Sequence, residues 1–367
     1  MLSAAIGRRI DAASGWIGFD VFMDMALYEP GLGYYSGGAT KFGQAGDFVT
    51  APELSPMFGR TLARQVAQVL EVTRGEVLEI GPGSGRLAVD LLLELEQLGT
   101  LPRHYHMLEL SGELRARQHE SVATAAPHLL ARVDWLEALP AAFEGVVIAN
   151  EVLDAVPVHM VAWREDGLFE RGVSRSGDGF AWSERPLRAG PLADAARTAN
   201  LAPPFVTEMG LRAQALAAAI AESLSFGVLL VIDYGFGSAE FHHPQRSHGT
   251  LMCHYRHRAH DDPFFLPGLQ DITAHVDFTA VAEAAVDAGL SLLGYTTQGR
   301  FLINCGITEL LAREHPEQPS HYLPIASQAH RLLSPAEMGE LFKVLAVGRR
   351  VDEPLLGFPI GDLSRLL

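Results

Sequence analysis

The sequence predicts an α/β protein built on an open, mostly parallel, Rossmann-like sheet. A short apolar segment at residues 77–80 runs into a glycine-rich turn, and a helical pattern follows over 87–98. Further apolar runs at 146–149 and 227–232 each end in polar residues. Buried strands that alternate with helices form parallel sheets, and the carboxyl edge of such a sheet binds nucleotide-like ligands.

Composition limits the function classes. Of 367 residues, 48% are hydrophobic and 20% are charged, and the net charge is −16. A nucleic-acid partner is not expected, because phosphate binding needs basic surface, whereas a basic protein partner is compatible with this charge. Cys253 and Cys305 form no C-x-x-C motif, which favours a reducing compartment. With no signal-peptide pattern at residues 1–20 and no long apolar run, we expect a cytoplasmic protein without membrane insertion.

The glycine-rich turn indicates the ligand class. Gly81, Gly83 and Gly85 follow Glu79 at the end of the predicted strand. A dinucleotide site needs a third glycine at the position held by Arg86. The G-x-G-x-G spacing after an acidic residue is instead typical of class I methyltransferases that use S-adenosylmethionine (SAM). The alternative is a glycine-rich turn that binds no ligand.

Residues 1–60 precede this turn and show helical spacing. An aromatic, glycine-rich segment at 28–36 and the segment 46–53 predict a lid over the cofactor. Gly46 and Thr50 are its predicted cofactor contacts. The alternative is a surface loop packed by its own aromatic side chains.

Two later strands supply further candidate cofactor residues. The second predicted strand ends at Glu109 and Leu110, where a carboxylate can accept both ribose hydroxyls. The third carries Asp134 and Trp135, which can hydrogen-bond and stack on adenine. The alternatives are that Glu109 faces solvent and that Trp135 belongs to the core.

The candidate catalytic residues follow the fourth strand. Apolar residues 146–149 lead into Asn150, Glu151 and Asp154. Two carboxylates near the transferred methyl can bind a guanidinium or accept a proton, and Asn150 is a candidate cofactor contact. The alternative is that Asp154 caps a helix and Glu151 is solvated.

Asp233, His275 and Asp277 are second-tier catalytic candidates. Asp233 ends the fifth strand, and the other two lie in a polar segment, 236–277, that holds six further histidines. These histidines lack the spacing of a zinc site, so no metal is predicted. We expect a cationic, aromatic loop on the substrate side.

The chain divides into four predicted parts. An N-terminal helical and lid segment covers 1–60, and the cofactor-binding half of the Rossmann-like domain covers 61–157. Hairpin signals predict an antiparallel β insertion at 158–205. The second half of the domain covers 206–367, with a turn at 299–301, a helix that Ser334 caps at Pro335, and a strand at 342–347 that closes the sheet.

These blocks together resemble the MidA-like family of SAM-dependent methyltransferases, which includes the mitochondrial complex I assembly methyltransferase. The resemblance spans roughly residues 19–347 and rests on six blocks in order: 22–35, 46–53, 79–85, 150–158, 232–235 and 271–278. It implies a class I methyltransferase fold, SAM as cofactor and, for mitochondrial members, symmetric dimethylation of an arginine in a complex I subunit. No Arg/Ser-rich presequence is visible, so we expect a bacterial-type cytoplasmic member.

The hypothesis from sequence is direct methyl transfer from SAM to a protein arginine held by Glu151 and Asp154. Two alternatives remain open. One is a small-molecule O- or N-methyltransferase, and the other is a SAM-binding assembly factor without turnover. The acceptor atom and a homo-oligomeric state are also left open.

Overall fold

The computed structural model describes residues 1–37, 50–315 and 317–367. Its α-helices are α1 (Leu2–Ala12), α2 (Phe19–Tyr28), α3 (Ala51–Leu54), α4 (Pro56–Thr73), α5 (Arg86–Leu98), α6 (Gly112–Ala125), α7 (Pro191–Ala199), α8 (Leu211–Ser223), α9 (Ser238–Phe241), α10 (Phe278–Asp287), α11 (Gln298–Asn304), α12 (Ile307–Arg313), α13 (Pro319–Leu333) and α14 (Met338–Leu341). Its strands are β1 (Ile17–Gly18), β2 (Glu76–Ile80), β3 (Tyr105–Leu108), β4 (Val133–Leu136), β5 (Phe143–Asn150), β6 (His159–Arg164), β7 (Gly167–Ser176), β8 (Gly179–Pro186), β9 (Phe205–Met209), β10 (Leu224–Phe236), β11 (Met252–Tyr255), β12 (Arg258–His260), β13 (Asp271–Thr273), β14 (Val276–Asp277), β15 (Ser291–Thr297) and β16 (Phe342–Arg349). Short 3₁₀ turns lie at Pro127–Arg132, Leu153–Ala155, Pro244–Arg246 and Ser364–Leu366.

The main sheet confirms the predicted α/β class. Its strands lie in the order β15-β16-β10-β5-β2-β3-β4. Strands β10, β5, β2, β3 and β4 are parallel to their neighbours in this run, and β16 is antiparallel to both β10 and β15. Since the chain leaves β2 towards β3 on one side and returns as β5 on the other, a ligand-binding crevice is expected at the carboxyl end of β2.

Strand register aligns the polar residues that follow the strands. Ile80 pairs with Ala149 on one side and with Leu108 on the other. Asn150 pairs with Ile232. The residues after these pairs therefore meet at one edge of the sheet, because parallel strands end in the same direction.

Alternating strand residues bury the two faces of the sheet. Val77 belongs to the apolar cluster that α4 and α5 cover, whereas Leu78 belongs to the cluster under α8 and α10. Successive side chains of a strand point to opposite faces, so a strand covered on both sides must be apolar throughout. Ser55 caps α4 as its position before Pro56 suggests, since its hydroxyl accepts from the Met57 amide at 3.3 Å.

The predicted β insertion forms a second, antiparallel sheet in the order β1-β7-β6-β9, with β8 on β7. Strand β9 begins at residue 205, the predicted end of the insertion, and continues to Met209, and β1 comes from the N-terminal segment. Helices α1 and α2 pack against this sheet through an apolar cluster that includes Ile6, Phe22 and Met160. The N-terminal segment and the insertion therefore share one core.

Several local predictions were wrong. The polar segment 236–277 is not only loop, because β11, β12 and β13 form a small antiparallel sheet within it. Gly299 lies inside α11, close to the carbonyl oxygens of Leu333 and Gly339, so it serves packing and not a turn. Ser334 ends α13 and starts no helix at Pro335. Strand β16 lies inside the sheet, and β15 is at the edge.

Candidate functional site

A cavity of about 720 Å³ lies at the carboxyl edge of the main sheet. Its lining comes from the glycine turn after β2, the ends of β3 and β5, and the N-terminal segment around α2 and α3. This volume is typical of a small-molecule or cofactor site. The N-terminal residues that cover it agree with the lid predicted for 28–36.

The glycine turn forms one wall of the cavity. Gly81, Gly83 and Gly85 have φ angles of 62°, 54° and 79°, a region that disfavours residues with a Cβ. Gly81 and Gly83 line the cavity, whereas Gly85 is the N-cap of α5. A Cβ at Gly85 would lie 3.1 Å from the Cα of Gln118. The first two glycines thus shape the wall, and the third allows close packing of α5 on α6.

Glu109 lies beside this turn at the end of β3. Its Oε1 accepts from the Ser111 amide at 2.8 Å, and its Oε2 accepts from Nε2 of Gln118 at 3.1 Å. The same Gln118 nitrogen donates to the carbonyl of Gly83 at 2.9 Å. Burial raises the pKa of Glu109. One amide therefore fixes both the carboxylate predicted to bind the ribose and the glycine turn.

Trp135 does not line the cavity, and its indole has another contact. Its Nε1 donates to Oε1 of Gln118 at 3.0 Å, and the ring packs against the main apolar cluster. Asp134 is also outside the lining, and its Oδ2 lies 2.7 Å from Nδ1 of His104. The structure therefore makes Trp135 a positioning residue and brings neither side chain into the cavity lining; adenine binding by this pair stays a prediction.

Glu79 and Leu110 both line the cavity. Glu79 is buried, whereas Leu110 is exposed. The Glu79 carboxylate accepts from the hydroxyl of Tyr105 at 2.7 Å, and burial raises its pKa to about 7. Leu110 is 80% exposed beside Glu109, and so offers apolar surface at the end of β3. Thr50 lies in the lining as well, whereas Gly46 lies outside the described residues.

Glu151 is held in a strained turn after β5. Its φ is 53°, which costs a non-glycine residue about 1 kcal/mol or more and persists only where surrounding contacts impose it. Its amide donates to the carbonyl of Ile232 at 2.8 Å. Its Oε1 accepts from the amide of Ala51 at 3.0 Å and from Nδ2 of Asn150 at 3.4 Å. Helix α3 of the lid region is thereby joined directly to the candidate catalytic carboxyl.

Asp233 does not line the cavity but stabilises the turn after Glu151 through backbone hydrogen bonds. Its Oδ2 accepts from three consecutive amides, those of Val152, Leu153 and Asp154, at 3.2, 2.9 and 3.2 Å. Its Oδ1 accepts from the amide of Tyr234 at 2.9 Å. Because these contacts use both oxygens on backbone donors, the structure gives Asp233 a positioning role in place of the predicted catalytic one.

Glu151 and Asp154 present buried acceptors without donors in the described parts of the chain. Oε2 of Glu151 and Oδ1 of Asp154 lack hydrogen-bond partners there, as does Oδ1 of Asn150. The other Asp154 oxygen accepts from the hydroxyl of Tyr234 at 2.6 Å. Burial raises the pKa of Glu151 to about 8 and that of Asp154 to about 6. Buried acceptors left unpaired are costly, so the site favours a ligand that brings several N–H donors.

An aromatic and acidic group of residues lines the same cavity as these carboxyls, and its acidic members were not predicted from the sequence. Tyr28 stacks on Tyr35 with ring centroids 5.5 Å apart and donates to the carbonyl of Ala155 at 2.9 Å. The Tyr35 hydroxyl donates to Oδ1 of Asp271 at 3.0 Å. Asp271 and Asp24 both line the cavity. Asp271 stands in a block of the resemblance, which could have suggested it, whereas no sequence signal marks Asp24.

His275 and Asp277 lie outside the cavity lining. The His275 ring stacks on Phe236 at 5.3 Å and contacts the carbonyl of Thr250 at 3.3 Å, and burial lowers its pKa to about 4. Asp277 is the N-cap of α10 and accepts from the amides of Thr279 and Ala280 at 3.1 and 3.2 Å. The structure therefore gives both residues packing and capping contacts in place of a position at the site.

One group in the described residues has metal-ligand chemistry, and it lies away from the cavity. Ligand-type atoms of Asp20, His159 and Glu170 lie within 4.8 Å of one another. Asp20 already pairs with Arg212 at 3.0 Å, and a cation beside a carboxylate opposes metal binding. The histidines of 236–277 form no such group among the described residues.

The lining suits an adenosyl amino acid at one end and a cationic acceptor at the other. The glycine turn lets backbone approach a ligand closely, Glu109 offers a carboxylate for vicinal hydroxyls, and Leu110 adds apolar surface. The unpaired oxygens of Glu151 and Asp154 lie beyond the same turn, at the neighbouring strand end. Cofactor and acceptor residues thus share one cavity.

Comparisons with known proteins agree with this assignment. A family described as "Putative S-adenosyl-L-methionine-dependent methyltransferase" matches residues 61–296. A crystal structure of a Burkholderia thailandensis protein bound to S-adenosyl-homocysteine is 51% identical, covers 100% of this chain and 96% of its own, and has a TM-score of 0.97. The mitochondrial protein arginine methyltransferase NDUFAF7 of Danio rerio is 29% identical over 91% of this chain and 84% of its own length. Its Homo sapiens counterpart is 27% identical over 89% of this chain and 78% of its own length.

In the described residues no helix combines the length and apolar character that crossing a membrane requires.

Proposed function

We propose that this chain, which belongs to the MidA-like family of SAM-dependent methyltransferases, methylates a guanidinium nitrogen of an arginine in a protein substrate. One observation carries the proposal. Buried oxygens of Glu151, Asp154 and Asn150 line the cavity without donors from the described residues. A guanidinium has five N–H donors and no acceptor, so it satisfies these oxygens without adding an unpaired group.

Residues of the chain hold and orient the acceptor. Asp154 has a pKa raised to about 6, which is lower than the value of about 8 for Glu151. Asp154 is therefore the carboxylate that is ionised at neutral pH. It supplies the charge that attracts the guanidinium, and Glu151 adds a second acceptor in the same cavity. The forked N–H geometry of a guanidinium suits two adjacent carboxyls. Fixing one nitrogen in line with the methyl is expected to supply much of the acceleration.

Glu151 also accounts for the proton. When bound, the cofactor supplies an electrophilic methyl group on a sulfonium. As the new N–C bond forms and the S–C bond breaks, that nitrogen must lose one proton. In the free protein at neutral pH Glu151 is protonated, because burial raises its pKa to about 8. A bound guanidinium cation favours the ionised carboxylate, which releases its own proton to solvent and can then take the proton that the nitrogen loses. We therefore assign Glu151 as the proton acceptor and Asp154 as the group that holds the charge.

A peptide assay tests the proposal. The purified chain is incubated with methyl-labelled SAM and synthetic peptides that each hold one arginine, or one lysine as a control. We expect tandem mass spectrometry to locate the label on arginine only. Glu151→Gln should lower turnover about 100-fold or more at unchanged SAM affinity, whereas the exposed Glu353→Gln should behave as wild type. SAM binding without any arginine product would contradict the proposal and favour a small-molecule acceptor or an assembly role.

The location of action is part of the proposal. Both cysteines are free and buried, which suits a reducing compartment such as the cytoplasm. The NDUFAF7 relatives are named mitochondrial. In the proposed location, this chain would bind its protein substrate in the cytoplasm and not in a mitochondrion. Fractionation of cells that express the tagged full chain tests this assignment.

A further inference from the structure

Helix α1 presents basic residues beside its buried face. Ile6 and Ile10 are fully buried in the apolar cluster of the N-terminal segment. Arg8 and Arg9 are exposed on the flank of the same helix. In the described residues neither arginine forms an ion pair. The chain as a whole has a net charge of −16. These two unpaired guanidinium groups therefore make this part of the surface locally positive.

These arginines line a second groove, of about 560 Å³, between α1 and α2. Arg212 from α8 lies in the same lining and pairs with Asp24 at 2.9 Å and with Asp20 at 3.0 Å. Two carboxyl side chains, Asp24 and Glu29, line the groove against three arginines. The charged residues of the lining thus sum to +1, and Arg8 and Arg9 are its two arginines without an ion pair in the described residues.

Asp24 connects this groove to the acceptor cavity. It is the residue common to both linings, so the groove adjoins the cavity, and a peptide that leaves the cavity on the side of Asp24 would run along the groove. An extended peptide advances about 3.3 Å per residue. Positions two to four residues from the methylated arginine therefore lie about 7–13 Å from it along an extended chain, and these are the positions tested below.

We propose that this groove selects the substrate by binding an acidic side chain near the target arginine. The inference rests on the proposed function, because it names the peptide that the same cavity would accept. A carboxylate can pair with Arg8 and Arg9, whereas a basic side chain would be repelled by them. The cavity would then bind the arginine and the groove would bind a nearby acidic side chain, which fixes the direction in which the peptide chain lies across the two sites.

The test compares two single-arginine peptides that differ in one neighbouring residue. One holds glutamate at a position two to four residues from the arginine, and the other holds glutamine there. Peptide binding to the full chain saturated with S-adenosyl-homocysteine is measured by fluorescence anisotropy, and kcat/KM is measured with SAM. We expect wild type to prefer the glutamate peptide about fivefold, through KM and not kcat, since exposed ion pairs are individually weak and are screened by salt.

Matched variants identify the groove as the source of that preference. Arg8→Gln with Arg9→Gln should reduce the preference to about onefold and leave kcat unchanged. Arg103→Gln with Arg188→Gln removes the same charge from exposed positions outside both linings and should retain the preference. Arg8→Glu with Arg9→Glu should favour a peptide with lysine at the tested position.

The outcomes separate the two proposals. Equal kcat/KM and binding for the two peptides in wild type, or a preference that survives loss of Arg8 and Arg9, would overturn the groove assignment while arginine methylation stands. If no arginine is methylated in either peptide, the proposed function fails and this inference fails with it.

Discussion

Replacing Glu151 by glutamine should remove a pH dependence from the stability of the free protein. Burial raises the pKa of this carboxyl from 4.5 to about 8 in the folded state. The folded protein therefore keeps the proton up to about pH 8, whereas the unfolded chain releases it near 4.5. The stability contributed by the neutral carboxyl is full below pH 4.5 and is lost as the pH rises through 8.

The magnitude follows from the two pKa values. One pKa unit corresponds to about 1.4 kcal/mol, so the whole interval from 4.5 to 8 is worth about 5 kcal/mol. Between pH 6 and pH 8 the loss is about 2 kcal/mol, because the folded carboxyl begins to ionise near the upper limit. Asp154 and Glu79 also have raised pKa values, but they titrate in both proteins. The pKa of Asp233 is raised as well, by burial and by the neighbouring charges of Asp154 and Glu151. The difference between wild type and variant therefore reports the titration of Glu151 together with its charge coupling to Asp154 and Asp233.

Urea unfolding followed by tryptophan fluorescence measures this difference. The free energy of unfolding is determined at pH 6, 7 and 8 for wild type, Glu151→Gln and the exposed control Glu353→Gln. We expect wild type and the control to lose about 2 kcal/mol more than Glu151→Gln across this range. Parallel curves for all three proteins would refute both the raised pKa of Glu151 and its assignment as a base poised near neutral pH.

Three further substitutions test the cofactor wall and the supports of the site. Gly83→Val should abolish SAM binding in calorimetry, whereas Gly99→Val, at a similar φ of 73° with open space around it, should bind as wild type; binding by the first variant would show that the turn is not the cofactor site. Asp233→Asn should lower the free energy of unfolding by about 2 kcal/mol, because one buried backbone donor loses its acceptor. It should reduce turnover less than Glu151→Gln, and equal losses at unchanged SAM affinity would contradict that ranking. Trp135→Phe removes the donor to the amide that holds the glycine turn and should weaken SAM binding about fivefold; an unchanged Kd would mean that this contact does not position the turn.

Local patterns in the sequence determined the fold class and the cofactor wall. Apolar strands followed by glycine or acidic residues placed Gly81, Glu109 and Glu151 at neighbouring strand ends, because parallel strands share one carboxyl edge. The residues that follow each strand must then meet, whatever the loops between them do. The family resemblance added SAM and the arginine acceptor.

Only the tertiary structure separated the roles of the polar residues. Glu151 follows β5 and Asp233 lies near the carboxyl end of β10, yet Asp233 uses its oxygens on four backbone amides. Glu151 keeps one oxygen without a donor in the described residues. Trp135 points its indole to Gln118 and not to the cavity. A strand end fixes where a residue is, but its partners come from segments distant in sequence.

The basic groove shows the same limit. Arg8 and Arg9 carry no motif, and their sequence reads only as an ordinary charged helix flank. Their position next to the acceptor cavity depends on how α1 and α2 pack on the β insertion and on Arg212 from α8. The sequence by itself determined the sheet, the glycine turn and the pair of carboxyls, because these depend on local periodicity and strand order. Tertiary packing decided which side chains are free to bind, because hydrogen bonds between remote segments use some acceptors and leave others unpaired.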